Sequence, residues 1–282
     1  MNDSHVAYSA ETQSIGLESV GNARELGGYK TTDGHVVRHG VLLRTAAPDA
    51  ASESDRRRLE HDLRLTRVLD LRMNMERQFL VDDVRGLDFA QTYRVPIMDE
   101  DYYLRLYAGI SEEQLKQMSP LQMIVMGIDM GLVNDQMYVG FLEAETGKRG
   151  FAEVFSHLLA QPEGEALLFH CTQGKDRTGL VAMLTLTALG VDEETIVFDY
   201  LLTNTFNAKL IEREQQGLLA LGIPAEEIDK YMIGLDRVFP QTMQNALEHL
   251  RREYGSVWGY ITKELGVGEA ERRELRAKYL ES

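Results

Sequence analysis

The stretch of the chain with the clearest chemical potential is residues 170–179, which contain the single cysteine. Five residues separate Cys171 from Arg177. A loop of this length lets successive backbone N–H groups curl around an oxyanion. An arginine can then close the ring with two parallel hydrogen bonds to phosphate oxygens. The spacing therefore predicts a phosphate-binding loop with a nucleophilic cysteine at its floor.

Apolar residues on both sides of this stretch indicate which elements hold it. Residues 166–169 are a short apolar run typical of a buried strand, and a second apolar run follows Gly179 and ends at Gly190. A strand should therefore enter the loop and a helix should leave it. The dipole of that helix favours a bound anion and the thiolate form of Cys171. Gly174 permits the close backbone approach that such a loop requires.

Each polar residue of the loop has a predicted role. Cys171 is the candidate nucleophile, and His170 is expected to orient the loop through hydrogen bonds, with an ordinary buried histidine as the alternative. Thr178 is placed to hydrogen-bond the sulfur and ease its departure from a phosphocysteine. The residues expected to bind phosphate are Thr172, Gln173, Gly174, Lys175, Arg177 and Thr178.

The loop resembles the Cys-x5-Arg signature of the protein-tyrosine phosphatase superfamily. Its Gly-Lys-Asp-Arg-Thr-Gly part is similar to the bacterial branch of tyrosine and dual-specificity phosphatases, some of which also hydrolyse phosphoinositides. The resemblance implies a cysteine-phosphatase fold and a phosphocysteine intermediate. It continues in order over roughly residues 20–280, through Asn22–Tyr29, Val41–Ala46, Asp70–Arg72 with Glu76, Asp199–Asn204 and Tyr254–Ser256.

A phosphatase also needs an acid that protonates the leaving oxygen. In the resembling branch this acid is an aspartate shortly after the strand that ends here near residues 96–98, so the resemblance implies Asp99. Glu100 and Asp101 are alternatives in the same acidic run. Asp176 lies within the loop and is a further catalytic candidate, whose alternative role is to brace the loop by accepting N–H bonds.

Four other charged residues from the matching blocks are expected to have structural roles. Arg24 and Arg44 are predicted to pair with nearby acids, and Asp70 and Arg72 to organise the rim of the sheet near the loop. Catalysis is not assigned to any of them.

Lys175 is the residue most informative about the substrate. Its cation could meet a second phosphate, as in an inositol phosphate, or pair with an acidic side chain, and the sequence leaves both open. We predict a phosphatase that acts on phosphotyrosine in proteins. An inositol phosphate, phosphoinositide or other small-molecule phosphatase is the alternative among enzymes. A phosphate-binding module without turnover is the alternative from another class.

The order of elements predicts an α/β fold, with a central, largely parallel sheet flanked by helices and ligands at the carboxyl ends of its strands. Residues 66–71, 93–97 and 166–169 are the expected buried strands. Ser52 should cap a helix that runs through Leu63. Val36–Val37 and residues 41–43 flank His39 and Gly40, which indicates a hairpin.

We expect one phosphatase domain over residues 1–282, with residues 1–19 as an N-terminal extension. Residues 99–150 are rich in methionine and predict a helical insert that borders the site. The insert is either a mobile lid or an ordinary apolar helix face packed on the core. The residues of that face are Leu121, Ile124, Val125, Ile128 and Leu132.

Composition restricts the partners. The net charge of −15, from 30 basic and 45 acidic residues, argues against nucleic acid or an anionic membrane surface. A phosphorylated protein or small molecule is the expected substrate, with a phosphate ion bound in the site. The histidines lack metal-ligand spacing, and the reaction needs no cofactor, so neither a metal nor an organic cofactor is predicted.

The single cysteine excludes an internal disulfide, and a thiol nucleophile needs a reducing compartment, which predicts the cytoplasm. No stretch resembles a signal peptide or a membrane span. Export by a route that reads no such signal is left open.

Overall fold

The computed structural model describes residues 8–78, 86–100 and 117–281. Its main sheet has five strands in the spatial order β1-β3-β6-β4-β5. The strands are β1 (Arg24–Glu25), β3 (Leu42–Thr45), β4 (Leu65–Asp70), β5 (Gln91–Arg94) and β6 (Ala166–His170). β3, β6, β4 and β5 run parallel to one another, and β1 pairs antiparallel with β3 at one edge. The predicted α/β fold with a largely parallel sheet is therefore confirmed.

Helices flank this sheet. In the described part of the chain they are α1 (Ala10–Gln13), α2 (Glu53–Arg57), α3 (Asn74–Gln78), α4 (Pro120–Asp129), α5 (Met137–Glu143), α6 (Glu145–Ala160), α7 (Asp176–Leu189), α8 (Glu193–Phe206), α9 (Ala208–Ala220), α10 (Ile228–Met232), α11 (Pro240–Tyr254), α12 (Val257–Leu265) and α13 (Glu269–Tyr279). None of the helices in the described ranges is both long enough and apolar enough to cross a membrane.

The predicted strand and helix on either side of the cysteine are both present. All five residues of β6 are buried, because the strand lies at the centre of the sheet with helices on its faces. α7 begins at Asp176, is buried along most of its length and ends at Gly190 in the left-handed conformation, with φ of 96°. Glycine is the residue that adopts this helix-terminating geometry with the least strain.

The predicted hairpin is wrong. β2 (Val36–Val37) pairs antiparallel with β7 (Leu280–Glu281) in a separate two-stranded sheet. β3 instead enters the main sheet, where its four residues are buried and pair in parallel with β6. The turn at His39 and Gly40 is a local signal, but burial of β3 against the central strand decides its partner.

The helix capped by Ser52 is confirmed. The Ser52 hydroxyl accepts a hydrogen bond from the Asp55 N–H at 3.2 Å and caps α2. The helix then continues as a π-helical turn over Arg58–Asp62 and ends at Leu63.

The described part of the insert is helical, but its apolar face does not pack on the main core. Leu121, Ile124, Val125 and Ile128 of α4 pack on a separate apolar cluster formed with α9 and α10, whereas Leu132 is not part of that cluster. The reason is that α9 and α10 present their own apolar residues to α4. Residues 101–116 lie outside the described ranges.

Candidate active site

Cys171 is the first residue after β6, at the carboxyl end of the central strand, and only 2% of it is exposed. Residues 172–175 form the loop that joins this strand to α7. The cysteine thus lies at the edge of the parallel sheet where this type of fold binds ligands, and at the N-terminal end of a 14-residue helix.

Three consecutive carbonyl groups of the loop are held by neighbouring elements. The Thr172 carbonyl accepts a hydrogen bond from the Ala47 N–H at 3.0 Å. The Asn22 side-chain amide donates to the carbonyls of Gln173 at 3.2 Å and Gly174 at 2.9 Å. The Gly174 carbonyl also accepts from the Arg44 guanidinium at 2.9 Å.

These contacts fix the direction of the loop amides. All described peptide bonds are trans, so each N–H points away from the carbonyl of the preceding residue. The amides of Gln173, Gly174 and Lys175 therefore face away from Ala47, Asn22 and Arg44. Within the described ranges, no protein group accepts a hydrogen bond from these three amides.

Gly174 is required in this loop for two reasons. Its φ is +67°, a region that side-chain-bearing residues rarely adopt. A Cβ at this position would lie 2.3 Å from the Thr45 carbonyl oxygen, which is closer than any normal contact. The loop can approach β3 this closely only with glycine.

Arg177 is oriented by an acid on α3. Glu76 accepts two hydrogen bonds from the Arg177 guanidinium, at 2.5 and 2.6 Å. Glu76 also accepts from the Thr172 hydroxyl at 2.7 Å and from the Met73 N–H at 2.9 Å. Burial alone would raise the pKa of Glu76, but Arg177 and Thr172 outweigh burial and hold this pKa below its usual value. Glu76 is therefore a carboxylate that joins both ends of the loop.

His170 contacts the loop directly. Its Nδ1 lies 3.0 Å from the Cys171 carbonyl oxygen. Burial lowers the pKa of His170 despite the nearby Asp70 carboxylate. The imidazole is thus neutral near pH 7, and the tautomer with a proton on Nδ1 donates to this carbonyl.

Arg72 binds Asp70 at 2.8 Å and Asp49 at 2.5 Å, which places both predicted rim residues in one ion-pair network.

Behind the loop lies a set of buried polar side chains that we call the arginine cluster: Asn22, Arg24, Tyr29, Arg44, Asp199 and Thr203. Asp199 accepts hydrogen bonds from Arg24 at 3.1 Å, from Arg44 at 2.5 Å and from the Tyr29 hydroxyl at 3.1 Å. Burial acts to raise the pKa of Asp199, but the two arginines hold it below its usual value. Arg24 and Arg44 thus have the acidic partner expected of them.

Lys175 does not extend into open solvent. Only 1% of the residue is exposed, and its ammonium donates to the carbonyls of Ile233, at 3.2 Å, and Leu235. The same ammonium lies 3.7 Å from the Asp176 carboxylate.

Two acids lie next to this part of the loop, and we call Glu214 and Asp236 the carboxyl pair. Glu214 accepts from the Asp236 N–H at 3.0 Å, and Asp236 accepts from the Gln173 side chain at 3.1 Å. Burial and the neighbouring Asp236 raise the pKa of Glu214 to about 8. Burial also raises the pKa of Asp236, although Lys175 opposes the shift.

The candidate acids occupy different surroundings. Asp176 accepts a hydrogen bond from the Tyr138 hydroxyl at 2.8 Å, and Tyr138 lies 3.0 Å from the Tyr200 hydroxyl. Asp99 and Glu100 line a cavity of about 320 Å³. The other residues lining it are Met73, Asn74, Pro96, Met98, Thr146 and Arg149. Asp101 lies outside the described residues.

The roles of the remaining predicted groups stay predictions. The Thr178 hydroxyl is buried and has no hydrogen-bond partner among the described residues. Across the same residues, no group of three or more His, Cys, Asp or Glu side chains is arranged to hold a metal ion.

The sequence predicts no function for several residues that contact the loop directly or bind a residue that does. Asn22, Glu76 and Asp199 lie in blocks that resemble the phosphatase family, so their positions carried a signal although their contacts did not. Tyr138, Glu214 and Asp236 lie outside those blocks and had no local signal. Asp236 binds Gln173 of the loop, Glu214 lies behind Asp236, and Tyr138 binds Asp176 at the start of α7, so tertiary packing alone brings them to this region.

Comparison with known proteins gives matches that cover most of the chain. A family model described as "Tyrosine phosphatase family" matches residues 15–281. A putative tyrosine-protein phosphatase of Cupriavidus necator is 30% identical over 271 residues, which cover 94% of this chain and 88% of that protein. A tyrosine-protein phosphatase of Nostoc commune is 34% identical over 45% of this chain and 43% of its own length. The triple specificity protein phosphatase PtpB of Mycobacterium tuberculosis is 32% identical over 42% of this chain and 45% of its own length.

Proposed function

Because the chain belongs to the tyrosine phosphatase family, we propose that it hydrolyses phosphotyrosine in proteins through a phosphocysteine intermediate. The observation that carries this proposal is the position of Cys171 and Arg177 on either side of a loop in which the amides of Gln173, Gly174 and Lys175 lack protein acceptors within the described ranges. Such amides, together with a guanidinium, can stabilise the charge that develops on the equatorial oxygens of a transferring phosphoryl group.

The first step forms the S–P bond. The Cys171 thiolate attacks phosphorus in line with the leaving oxygen, and the P–O bond to the substrate breaks. Arg177 and the loop amides bind the equatorial oxygens, and Asp99 gives its proton to the leaving oxygen. Glu76 keeps the guanidinium of Arg177 in place, because it accepts two of its hydrogen bonds.

The second step breaks the S–P bond. Asp99, now a carboxylate, takes a proton from a water molecule that attacks phosphorus. Inorganic phosphate leaves, and Cys171 returns to the thiolate while Asp99 is again protonated.

Contacts on the described residues support Asp99 as the acid without distinguishing it from Glu100. Both line a cavity with Met73 and Asn74, and the N–H of Met73 donates to the Glu76 that binds Arg177. Asp176, in contrast, accepts a hydrogen bond from Tyr138 and lies near Lys175, which favours its bracing role.

The surroundings of Lys175 support a substrate with one phosphate. Its ammonium is bound by two backbone carbonyls and is almost fully buried, so binding a second phosphate would require these bonds to break. The names of two relatives, which specify tyrosine, support the same substrate. The name of the triple specificity relative favours testing phosphoserine and phosphothreonine too.

We also propose that residues 1–282 form one phosphatase domain. Its compartment would be the cytoplasm, since a thiolate nucleophile needs reducing conditions.

The test is steady-state phosphate release from a phosphotyrosine peptide, a phosphoserine peptide and a bisphosphorylated inositol headgroup. Wild type should prefer the phosphotyrosine peptide, and Cys171→Ser should release no phosphate while still binding it. Preference for the inositol headgroup would replace the proposed substrate with a small molecule. Absence of release from all three, with phosphate still bound, would favour a binding module.

The acid is identified by comparing Asp99→Asn, Glu100→Gln and Asp101→Asn. Loss of the general acid should lower kcat by roughly 10²- to 10⁴-fold for a poor leaving group such as an alkyl phosphate. The effect should be much smaller with an activated aryl phosphate, whose leaving oxygen needs no proton. Unchanged kcat in Asp99→Asn would remove this residue from the mechanism.

A further inference from the structure

We propose that Asn22 and Arg44 are positioning residues that set the direction of the phosphate-binding amides of Gly174 and Lys175. This inference rests on the proposed function, because it assigns these amides to the phosphate. Neither side chain would touch the substrate. Both would act through the loop carbonyls that they hold.

A peptide plane is rigid, so the direction of its carbonyl sets the direction of the N–H that follows. Holding the Gln173 carbonyl on Asn22 turns the Gly174 N–H to the opposite side. Holding the Gly174 carbonyl on Asn22 and Arg44 does the same for the Lys175 N–H. If either plane rotated by half a turn, a carbonyl oxygen would face the bound phosphate in place of an N–H. A hydrogen bond to the anion would be replaced by repulsion.

Arg24 fixes the orientation of the Asn22 side chain. The side-chain oxygen of Asn22 accepts a hydrogen bond from Arg24, so its NH₂ group is the end that faces the loop. The residue has φ of +53°, a backbone region in which asparagine is enriched. Asn22 therefore combines a backbone conformation, an acceptor for Arg24 and a donor for two loop carbonyls.

The Arg44 guanidinium is held at both of its terminal nitrogens. One terminal nitrogen binds the Asp199 carboxylate at 2.5 Å, and the other binds the Gly174 carbonyl at 2.9 Å. Arg44 is fully buried, so no water competes for these bonds. Lysine has a single donor group and cannot reproduce the two ends of this fork.

The arginine cluster contains a matched control. Tyr29 donates to the same Asp199 carboxylate at 3.1 Å, is equally buried and, among the described residues, makes no hydrogen bond to loop residues 172–175. Tyr29→Phe removes a hydrogen bond from the cluster but leaves both anchors of the loop carbonyls. It should change stability without changing phosphate binding.

The experiment uses the full chain labelled with ¹⁵N and inorganic phosphate as the probe. Titration should shift the amide signals of Gly174 and Lys175 in the wild type and in Tyr29→Phe, with equal dissociation constants. Asn22→Asp keeps the acceptor for Arg24 but removes the donor, and should weaken phosphate binding roughly 10- to 100-fold, the effect of one or two hydrogen bonds to an anion. Arg44→Lys should weaken it by a similar factor.

Thermal unfolding of each variant separates positioning from stability. If Arg44→Lys does not fold, the isosteric Asn22→Asp carries the test. Wild-type affinity in Asn22→Asp and Arg44→Lys would overturn the inference. So would a loss of affinity in all three variants that simply follows their loss of stability.

Failure of the proposed function can be distinguished from failure of the positioning role. If the wild type binds phosphate through these amides but hydrolyses no phosphomonoester, the proposed function fails and the positioning role stands. If it releases phosphate while the Gly174 and Lys175 signals do not respond, the function stands and the positioning role is wrong.

Discussion

Two groups of polar side chains, one fully buried and one partly buried, contact the loop of residues 172–175, and they balance charge in different ways. The arginine cluster holds the backbone carbonyl of Gln173 through Asn22, whereas the carboxyl pair holds the side chain of Gln173 through Asp236. In the first group two arginines surround one carboxylate. In the second, two carboxyls lie against each other near one lysine.

The difference is visible in the pKa values. Burial and the neighbouring Arg44 lower the pKa of Arg24, but only to about 10, so Arg24 stays charged at neutral pH. Although burial opposes the shift, Arg24 and Arg44 hold the pKa of Asp199 below its usual value, so this carboxylate stays ionised at neutral pH. The carboxyl pair behaves differently, since burial and mutual proximity raise the pKa of Glu214 to about 8.

The charges of Arg24 and Asp199 on one side of the loop are therefore constant near neutral pH, whereas Glu214 on the other side titrates in this range. The charged groups that act on the carboxyl pair are Lys175, which favours its ionisation, and Asp176, which opposes the ionisation of Asp236. Gln173 and Asn207 donate neutral hydrogen bonds to Asp236. Substitutions in the two groups should therefore differ in their effects on stability and on its dependence on pH.

The largest effect is expected from Asp199→Asn. The change leaves Arg24 and Arg44 buried without an anion, which should destabilise the protein by about 3–5 kcal/mol. Urea unfolding at pH 7 measures it. Asp236→Asn is the matched control and should change stability much less, because it removes one member of a pair of like groups. If Asp199→Asn lowers the free energy of unfolding by less than about 1 kcal/mol, the two buried arginines do not depend on the Asp199 carboxylate.

An intermediate effect is expected from pH. Because the folded-state pKa of Glu214 is raised above its usual value, its contribution to stability is complete below pH 4.5 and is lost as pH rises through about 8. The melting temperature of the wild type should therefore fall between about pH 4.5 and about pH 8 and should show no further fall from this group above that. In Glu214→Gln this part of the fall should be absent. Identical pH profiles for the two proteins would show that the pKa of Glu214 is not raised in the folded protein.

The smallest effect is expected from two matched tyrosine variants. Tyr138→Phe removes the hydroxyl that donates to Asp176 beside the carboxyl pair, and should cost about 1 kcal/mol. Tyr29→Phe should cost less, because Asp199 keeps both arginine partners. Chemical unfolding of the two variants at one pH compares them directly. A larger loss in Tyr29→Phe would mean that the hydroxyl of Tyr29 is a main support of the arginine cluster.

Much of the site could be predicted because its central part is continuous in the chain. A buried apolar strand, a loop of fixed length and an apolar helix follow one another from residue 166 to residue 189, and each has a local pattern. The hairpin could not be predicted correctly, because the partner of Val37 is Leu280, far along the chain. No local turn signal contains that information.

The sequence by itself determined the nucleophile candidate, the phosphate-binding spacing and the parallel α/β architecture, since these depend on neighbouring residues and on apolar periodicity. Only the tertiary structure decided which groups hold the loop. Arg44, Glu76 and Asp236 reach it from three separate parts of the chain. The physical reason is that a buried charge must find a partner wherever the fold provides one, and that partner is fixed by packing and not by distance along the chain.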